Sequence, residues 1–126
     1  MLCFLAFGVP VGLCPDETIS GYADRSATYV LVEMGGADAS VRATLRFPEE
    51  GVVTGDGPCN GFRAAQTIAY PWIEIGEIAA TRRSCSDLDL EETYFAMLRT
   101  ATLVEVAGDV LLLSGEDGLL AAFEAE

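Results

Sequence analysis

Between Ser40 and Phe47 the chain reads SVRATLRF, with Val41, Ala43, Leu45 and Phe47 alternating strictly with Arg42, Thr44 and Arg46. Successive side chains of an extended strand point to opposite faces, so a period of two specifies a strand with one dry face and one wet face. A helix of this sequence would scatter those apolar groups around its circumference. The next residues, PEEG over Pro48–Gly51, carry turn chemistry, because proline presets φ and glycine closes the bend. VVTG then begins another strand. A lone hairpin is marginal in water, so these strands need further partners, and short connections make those partners antiparallel.

The rest of the chain supplies the partners. TYVLVEM (Thr28–Met34) is β-branched and aromatic and stops at Gly35-Gly36. FRAAQTIA (Phe62–Ala69) places Phe62, Ala64, Gln66 and Ile68 on one face and ends at Tyr70-Pro71. WIEIGEIAA (Trp72–Ala80) reads as a strand with Ile73, Ile75 and Ala79 inward and Gly76 marking a bulge or a close approach. TLVEVA, VLLLS and LLAAF are short strands separated by turns at Gly108-Asp109 and Gly115–Gly118. One segment has the helical period. In SDLDLEETYFAMLRTA (Ser86–Ala101), Leu90, Tyr94, Met97, Leu98 and Ala101 form one apolar stripe. Ser86 with Asp89 approximates a capping box. Asp87, Asp89, Glu91 and Glu92 at its start and Arg99 near its end suit the helix dipole. The reading is therefore α+β: a curved antiparallel meander of about eight short strands, with one α-helix near Asp87–Ala101 packed against it.

A chain of 126 residues is sized for one domain, and 51% apolar residues can fill its core. Acids outnumber bases 20 to 7, all the bases are arginine, and the net charge is -13. That charge repels phosphate backbones, which argues against a nucleic-acid partner. With no histidine there is no Ser-His-Asp or Cys-His pair and no imidazole ligand, and with no lysine there is no Schiff-base or P-loop chemistry.

The first residues, MLCFLAFGVPVGLC, are apolar from Met1 to Leu13. They are too short to span a bilayer, and their length suits the apolar region of a secretory signal. Residues 1–13 are read as a signal-peptide remnant, 14–27 as a polar lead-in and 28–126 as a single domain. VGLC makes Cys14 a candidate for lipidation, although Leu13 is bulky for such a site. A membrane contact is expected only through a lipidated Cys14.

Two stretches carry a family pattern. The first is GPCNGF (Gly57–Phe62), and the second is IEIGEIAATRRSC (Ile73–Cys85), followed by the acidic helix. With Gly57, Asn60 and Phe62 in the first, and Ile75, Gly76, Ile78, Thr81 and Arg82 in the second, the chain resembles the META-domain family. These are small bacterial envelope proteins grouped with the heat-shock protein HslJ. The resemblance covers about Thr28 to Phe123. It departs from the family at Pro58, Tyr29, Ala64, Ala65, Gln66 and Arg83. It implies a non-catalytic, β-rich domain, periplasmic or secreted, acting as a binding or envelope-stress module.

The residues are weighed beside that resemblance. The cysteines at 3, 14, 59 and 85 lack the spacing and the histidines of a zinc site, and none has a base partner for thiol catalysis. DLDLEE (Asp87–Glu92) lacks the central glycine of a calcium loop. No catalytic, cofactor-binding or metal-binding residue is assigned. Arg82 and Arg83 are suited to grip an anionic group, but an internal ion pair with the acids at the helix start is the more ordinary use. Trp72, Tyr70 and Phe62 either line a pocket or pack in the core. A cavity in the curved sheet would instead make the protein a small-molecule carrier, and an exposed rigid loop would make it an extracellular hydrolase inhibitor. The partner is expected to be a protein or a small ligand of the envelope, and the chain a monomer.

Cys59 and Cys85 are expected to form a disulfide. Cys59 precedes the strand Phe62–Ala69 and Cys85 follows the strand Trp72–Ala80, so antiparallel pairing about Tyr70-Pro71 brings them to one edge. The alternative is two reduced, buried thiols serving as small apolar groups.

Overall fold

The computed structural model describes residues 15–126, so the expectations for the leader, for Cys3 and for lipidation at Cys14 lie outside the described residues. Nine strands and one helix follow in chain order. They are β1 (Tyr29–Met34), β2 (Ala37–Asp38), β3 (Thr44–Glu49), β4 (Gly51–Asp56), β5 (Gly61–Gln66), β6 (Ala79–Ala80), α1 (Leu88–Thr100), β7 (Leu103–Ala107), β8 (Val110–Gly115) and β9 (Gly118–Ala125). The fold is α+β, with one curved, unclosed antiparallel sheet in the order β6-β5-β4-β3-β1-β9-β8-β7. β2 hangs on β1 as a hairpin. Its two-residue loop, Gly35-Gly36, has φ of 65° and 81°, which side-chain-bearing residues rarely adopt. The chain makes two meanders, and β1 joins them by pairing with β9, Tyr29 opposite Ala125 and Leu31 opposite Phe123.

The alternation in SVRATLRF holds only in part, since Thr44, expected on the wet face, is buried and Val41 is only half-buried. Ala43, Leu45 and Phe47 are buried, while the regular strand begins at Thr44 and runs through Pro48 to Glu49. The tight turn is therefore confined to Glu50 and Gly51, whose φ is 85°. On β5, Phe62, Ala64 and Gln66 face the core as expected, but the strand stops at Gln66 and Ile68 is exposed.

The segment expected as a strand over Trp72–Ala80 is different. Only Ala79–Ala80 are regular, pairing with Phe62 and Arg63 of β5. The residues before them cross the open seam of the sheet. On one side, Ile73 N–H donates to Thr102 O at 3.0 Å and Val104 N–H donates to Pro71 O at 2.8 Å, beside a bridge of Trp72 to Leu103. On the other side, Gly76 N–H donates to Ala65 O at 2.9 Å. The backbone thus satisfies β7 first and β5 a few residues later, which a straight strand cannot do. Ile73 and Ile75 still point inward and are buried. The Tyr70-Pro71 peptide is cis.

Helix α1 starts at Leu88, with Asp87 at its N-cap and no side-chain cap bond. The expected Ser86–Asp89 capping box does not form, because the helix starts one residue later, with Asp87 rather than Ser86 at the N-cap. The buried face also differs from the expected stripe. Glu91, Tyr94, Phe95, Met97 and Leu98 are buried, and Leu90 lies at the surface. The Tyr94 hydroxyl donates to Thr44 O at 2.7 Å. Its ring lies 6.3 Å from Phe62 and 6.4 Å from Phe123. One helical residue thereby touches β3, β5 and β9, and α1 packs on the sheet through it.

The stretch expected as a polar lead-in is partly built into the domain. A 3-10 turn, Ile19–Gly21, inserts Ile19 into the core. The Asp16 carboxylate fastens it, accepting from Thr18 N–H at 2.8 Å, from the Thr18 and Ser20 hydroxyls, and from Arg25 Nη2 at 2.8 Å. Burial pushes the Asp16 pKa up, but those hydrogen bonds and the Arg25 charge outweigh it and hold the group below its ordinary value.

Candidate functional site

The first family-pattern stretch meets the helix at one buried carboxyl group. Glu91 is only 4% exposed, although it belongs to a helical turn crowded with solvated acids. Its Oε2 accepts the backbone N–H groups of Cys59 at 2.8 Å and of Asn60 at 2.7 Å. Its Oε1 accepts Asn60 Nδ2 at 2.8 Å. A buried acid is tolerable when donors surround it, and here the bend after β4 supplies three. Gly57 makes room for this. A Cβ at that position would stand 2.7 Å from Glu91 Oε2 and 2.9 Å from its Cγ.

Asn60 passes the connection on. Its Nδ2 also donates to Arg83 O at 3.0 Å, and its Oδ1 accepts the Thr81 hydroxyl at 2.9 Å and the Arg83 N–H at 2.6 Å. Both hydrogens of the amide and both lone pairs of its oxygen are thereby used. Thr81 N–H adds a bond to Gly61 O at 3.0 Å. A disulfide between Cys59 and Cys85, with Cα atoms 5.8 Å apart, closes the same unit covalently. The extended segment 81–85 is therefore held at both ends against the β4–β5 bend.

The remaining pattern residues are spread through the fold. Phe62 packs edge-on against Phe95, ring centres 5.2 Å apart, and Ile75 is buried. Gly76 lies against β5, where a Cβ would come within 3.4 Å of Ala65 O. Ile78 is half-buried at the edge of the core. Arg82 is exposed. Tyr70, Trp72 and Phe62 do not converge on a pocket. Tyr70 stacks on Tyr22 at 4.3 Å, Trp72 is 57% exposed and Phe62 is in the core.

Between segment 81–84 and the outer side of α1 runs an open groove of about 610 Å³. Arg82, Arg83 and Arg99 line it, together with Leu88, Phe95 and Ala96 and the acids Glu91 and Glu92 of the helix. The internal ion pairs expected for Arg82 and Arg83 do not form. Among the described residues the ion pairs join Arg25 to Asp16, Arg42 to Glu126 and Arg46 to Asp56. The oxygens of Glu91 are already filled by N–H donors. Asp87 and Asp89 stay in water, where an exposed pair would gain little.

Sequence reasoning missed Glu91 and Arg99 as site residues, reading both as dipole charges. The signal for Glu91 is positional. Residues 91, 94, 95 and 98 follow the i, i+3, i+4, i+7 pattern, so an acid occupies the first place of the buried stripe. Among the described residues no cluster of acids and cysteines could hold a metal, and no helix is long and apolar enough to cross a membrane.

A family model of the META domain matches residues 24–126. No curated protein sequence matches the chain. Among solved structures, a solution structure of a protein from Burkholderia xenovorans is similar, with a TM-score of 0.64 at 17% identity, covering 94% of each chain. A crystal structure of a DUF4847 family protein from Bacteroides vulgatus superposes with a TM-score of 0.64 at 13% identity, covering 79% of this chain and 92% of that one. At such identities the likeness is one of fold.

Proposed function

The chain belongs to the META-domain family, and from that premise we propose that it is a non-catalytic binding module of an oxidising compartment, periplasmic or secreted, where it serves the cell envelope. The observation that carries this reading is the construction of the groove. Its wall is clamped by Asn60, Glu91 and a disulfide, while the arginines it presents form no ion pair among the described residues. Rigid presentation of unpaired cations suits recognition, because less freedom is lost on binding. A disulfide is compatible with an oxidising compartment, where such bonds persist.

The carrier alternative has less support. Tyr29, Phe47, Leu45, Leu111, Leu113 and Phe123 fill the space inside the sheet. The test is a small-molecule screen followed by backbone-amide NMR. Binders are expected to shift amides in 81–84 and 88–99 and to be recovered chemically unchanged. Conversion of a bound compound, or binders that shift only residues lining the sheet interior, would contradict the reading.

A further inference from the structure

We infer that the groove between segment 81–84 and α1 takes a small organic oxyanion, a carboxylate or phosphate head carrying a compact apolar body. This rests on the reading of the groove as a binding site and adds the chemistry of what binds there. The distribution of charge is the first ground. The seven bases of the chain are all arginine, against 20 acids. Arg25, Arg42 and Arg46 are neutralised by acids of the domain. Arg63 is exposed on β5, away from the groove lining. The remaining three, Arg82, Arg83 and Arg99, all line one groove. Three of the four arginines that pair with no acid among the described residues therefore line one groove, where they outnumber the carboxyl groups of Glu91 and Glu92.

The second ground is what lies between them. Guanidinium groups are planar forks matched to carboxylate and phosphate oxygens. Leu88, Phe95 and Ala96 give the groove an apolar share, with Leu88 and Ala96 exposed, beside the polar groups of Asn60, Thr81, Ser84, Glu91 and Glu92. A head among the guanidiniums places its attached carbons on that surface. The third ground is size and reach. A volume of about 610 Å³ falls within the range of roughly 300–1,000 Å³ usual for small-molecule sites. The net charge of -13 repels extended polyanions before they reach the groove, and Glu92 on the same helix disfavours a densely charged one. A small ligand with one anionic head meets both obstacles least.

The experiment is an amide NMR titration of the full chain with hexanoate and hexyl phosphate, and with hexan-1-ol as the uncharged match. Both anions are expected to shift amides of residues 81–84 and 95–99 saturably, with hexan-1-ol at least about tenfold weaker. The tighter of the two anions identifies the preferred head. Arg82→Gln and Arg83→Gln, both at exposed positions, are each expected to weaken the anions by roughly tenfold. Arg63→Gln, which lowers the net charge equally, is expected to leave them unchanged. If hexan-1-ol shifts the same amides as strongly as the anions, the oxyanion assignment is wrong while the binding reading stands. If Arg63→Gln weakens binding as much as Arg82→Gln, the attraction is a property of overall charge and the assignment again fails. If no probe shifts these amides, the assignment and the binding reading fall together.

Discussion

Glu91 and Asn60 are joined twice, Oε1 to the side-chain Nδ2 at 2.8 Å and Oε2 to the backbone N–H at 2.7 Å. The pair ties α1 to the bend between β4 and β5, far apart in sequence and adjacent in space. Removing the carboxyl group leaves the buried Asn60 N–H and the half-buried Cys59 N–H without their acceptor. Glu91→Ala is therefore expected to cost roughly 3 kcal/mol. Glu91→Gln should cost less, because one amide oxygen can still receive both backbone N–H groups. Urea midpoints of the two variants measure this, and a loss below about 1 kcal/mol for Glu91→Ala would show that water replaces the carboxyl group freely.

Gly57 is the space that Glu91 needs. Its φ is not in the left-handed region, so the requirement is close approach rather than backbone freedom. The Glu91 tip cannot swing away without giving up its donors, so Gly57→Ala is expected to destabilise by about 1–3 kcal/mol. The double variant Gly57→Ala/Glu91→Ala should then be clearly less destabilised than the sum of the singles. Additive losses in chemical denaturation would mean that the two positions do not collide.

Much of this arrangement is visible in the sequence, and the exceptions have physical reasons. The strands around Ala43–Phe47 and Val53 show their period because one face is dry and the other wet. Trp72–Ala80 imitates a strand, since Ile73 and Ile75 alternate, yet it bends from the edge of β7 to the edge of β5. Only the curvature of the whole sheet decides that path, and no local pattern records it. Leu90 was expected on the buried stripe of α1, but Glu91 takes that face because the β4–β5 bend offers it three N–H donors. A hydropathy pattern counts an acid as wet and cannot see its partners. The Arg82–Arg83–Arg99 groove was hidden for a related reason, since abundant acids in the chain made internal ion pairs the ordinary expectation.

Tyr94 gives a prediction in pH. Burial raises its hydroxyl pKa well above the ordinary 10.0, the Asp56 charge raises it further, and Arg46 opposes. The folded state keeps this proton where the unfolded chain releases it. The stabilisation is thus complete below about pH 10 and is lost as pH rises toward the folded value. Tyr94→Phe removes the donor to Thr44 O and is expected to cost about 1 kcal/mol at neutral pH. Above pH 10 its stability should fall less steeply than that of the native chain. Parallel slopes in alkaline denaturation followed by circular dichroism would contradict this.

The central claim is that Asn60 holds the arginine-bearing segment against the helix. The Arg83 N–H, which donates to Asn60 Oδ1 at 2.6 Å, reports on it directly. Hydrogen exchange at that amide should be measured in the native chain and in Asn60→Ala, with amides at the centre of β8 and β9 as references for global folding. We expect Arg83 exchange to accelerate at least about tenfold in the variant while the reference amides stay protected. An unchanged rate at Arg83, in a variant whose β8 and β9 amides remain protected, would show that the segment is held without Asn60 and would contradict the claim.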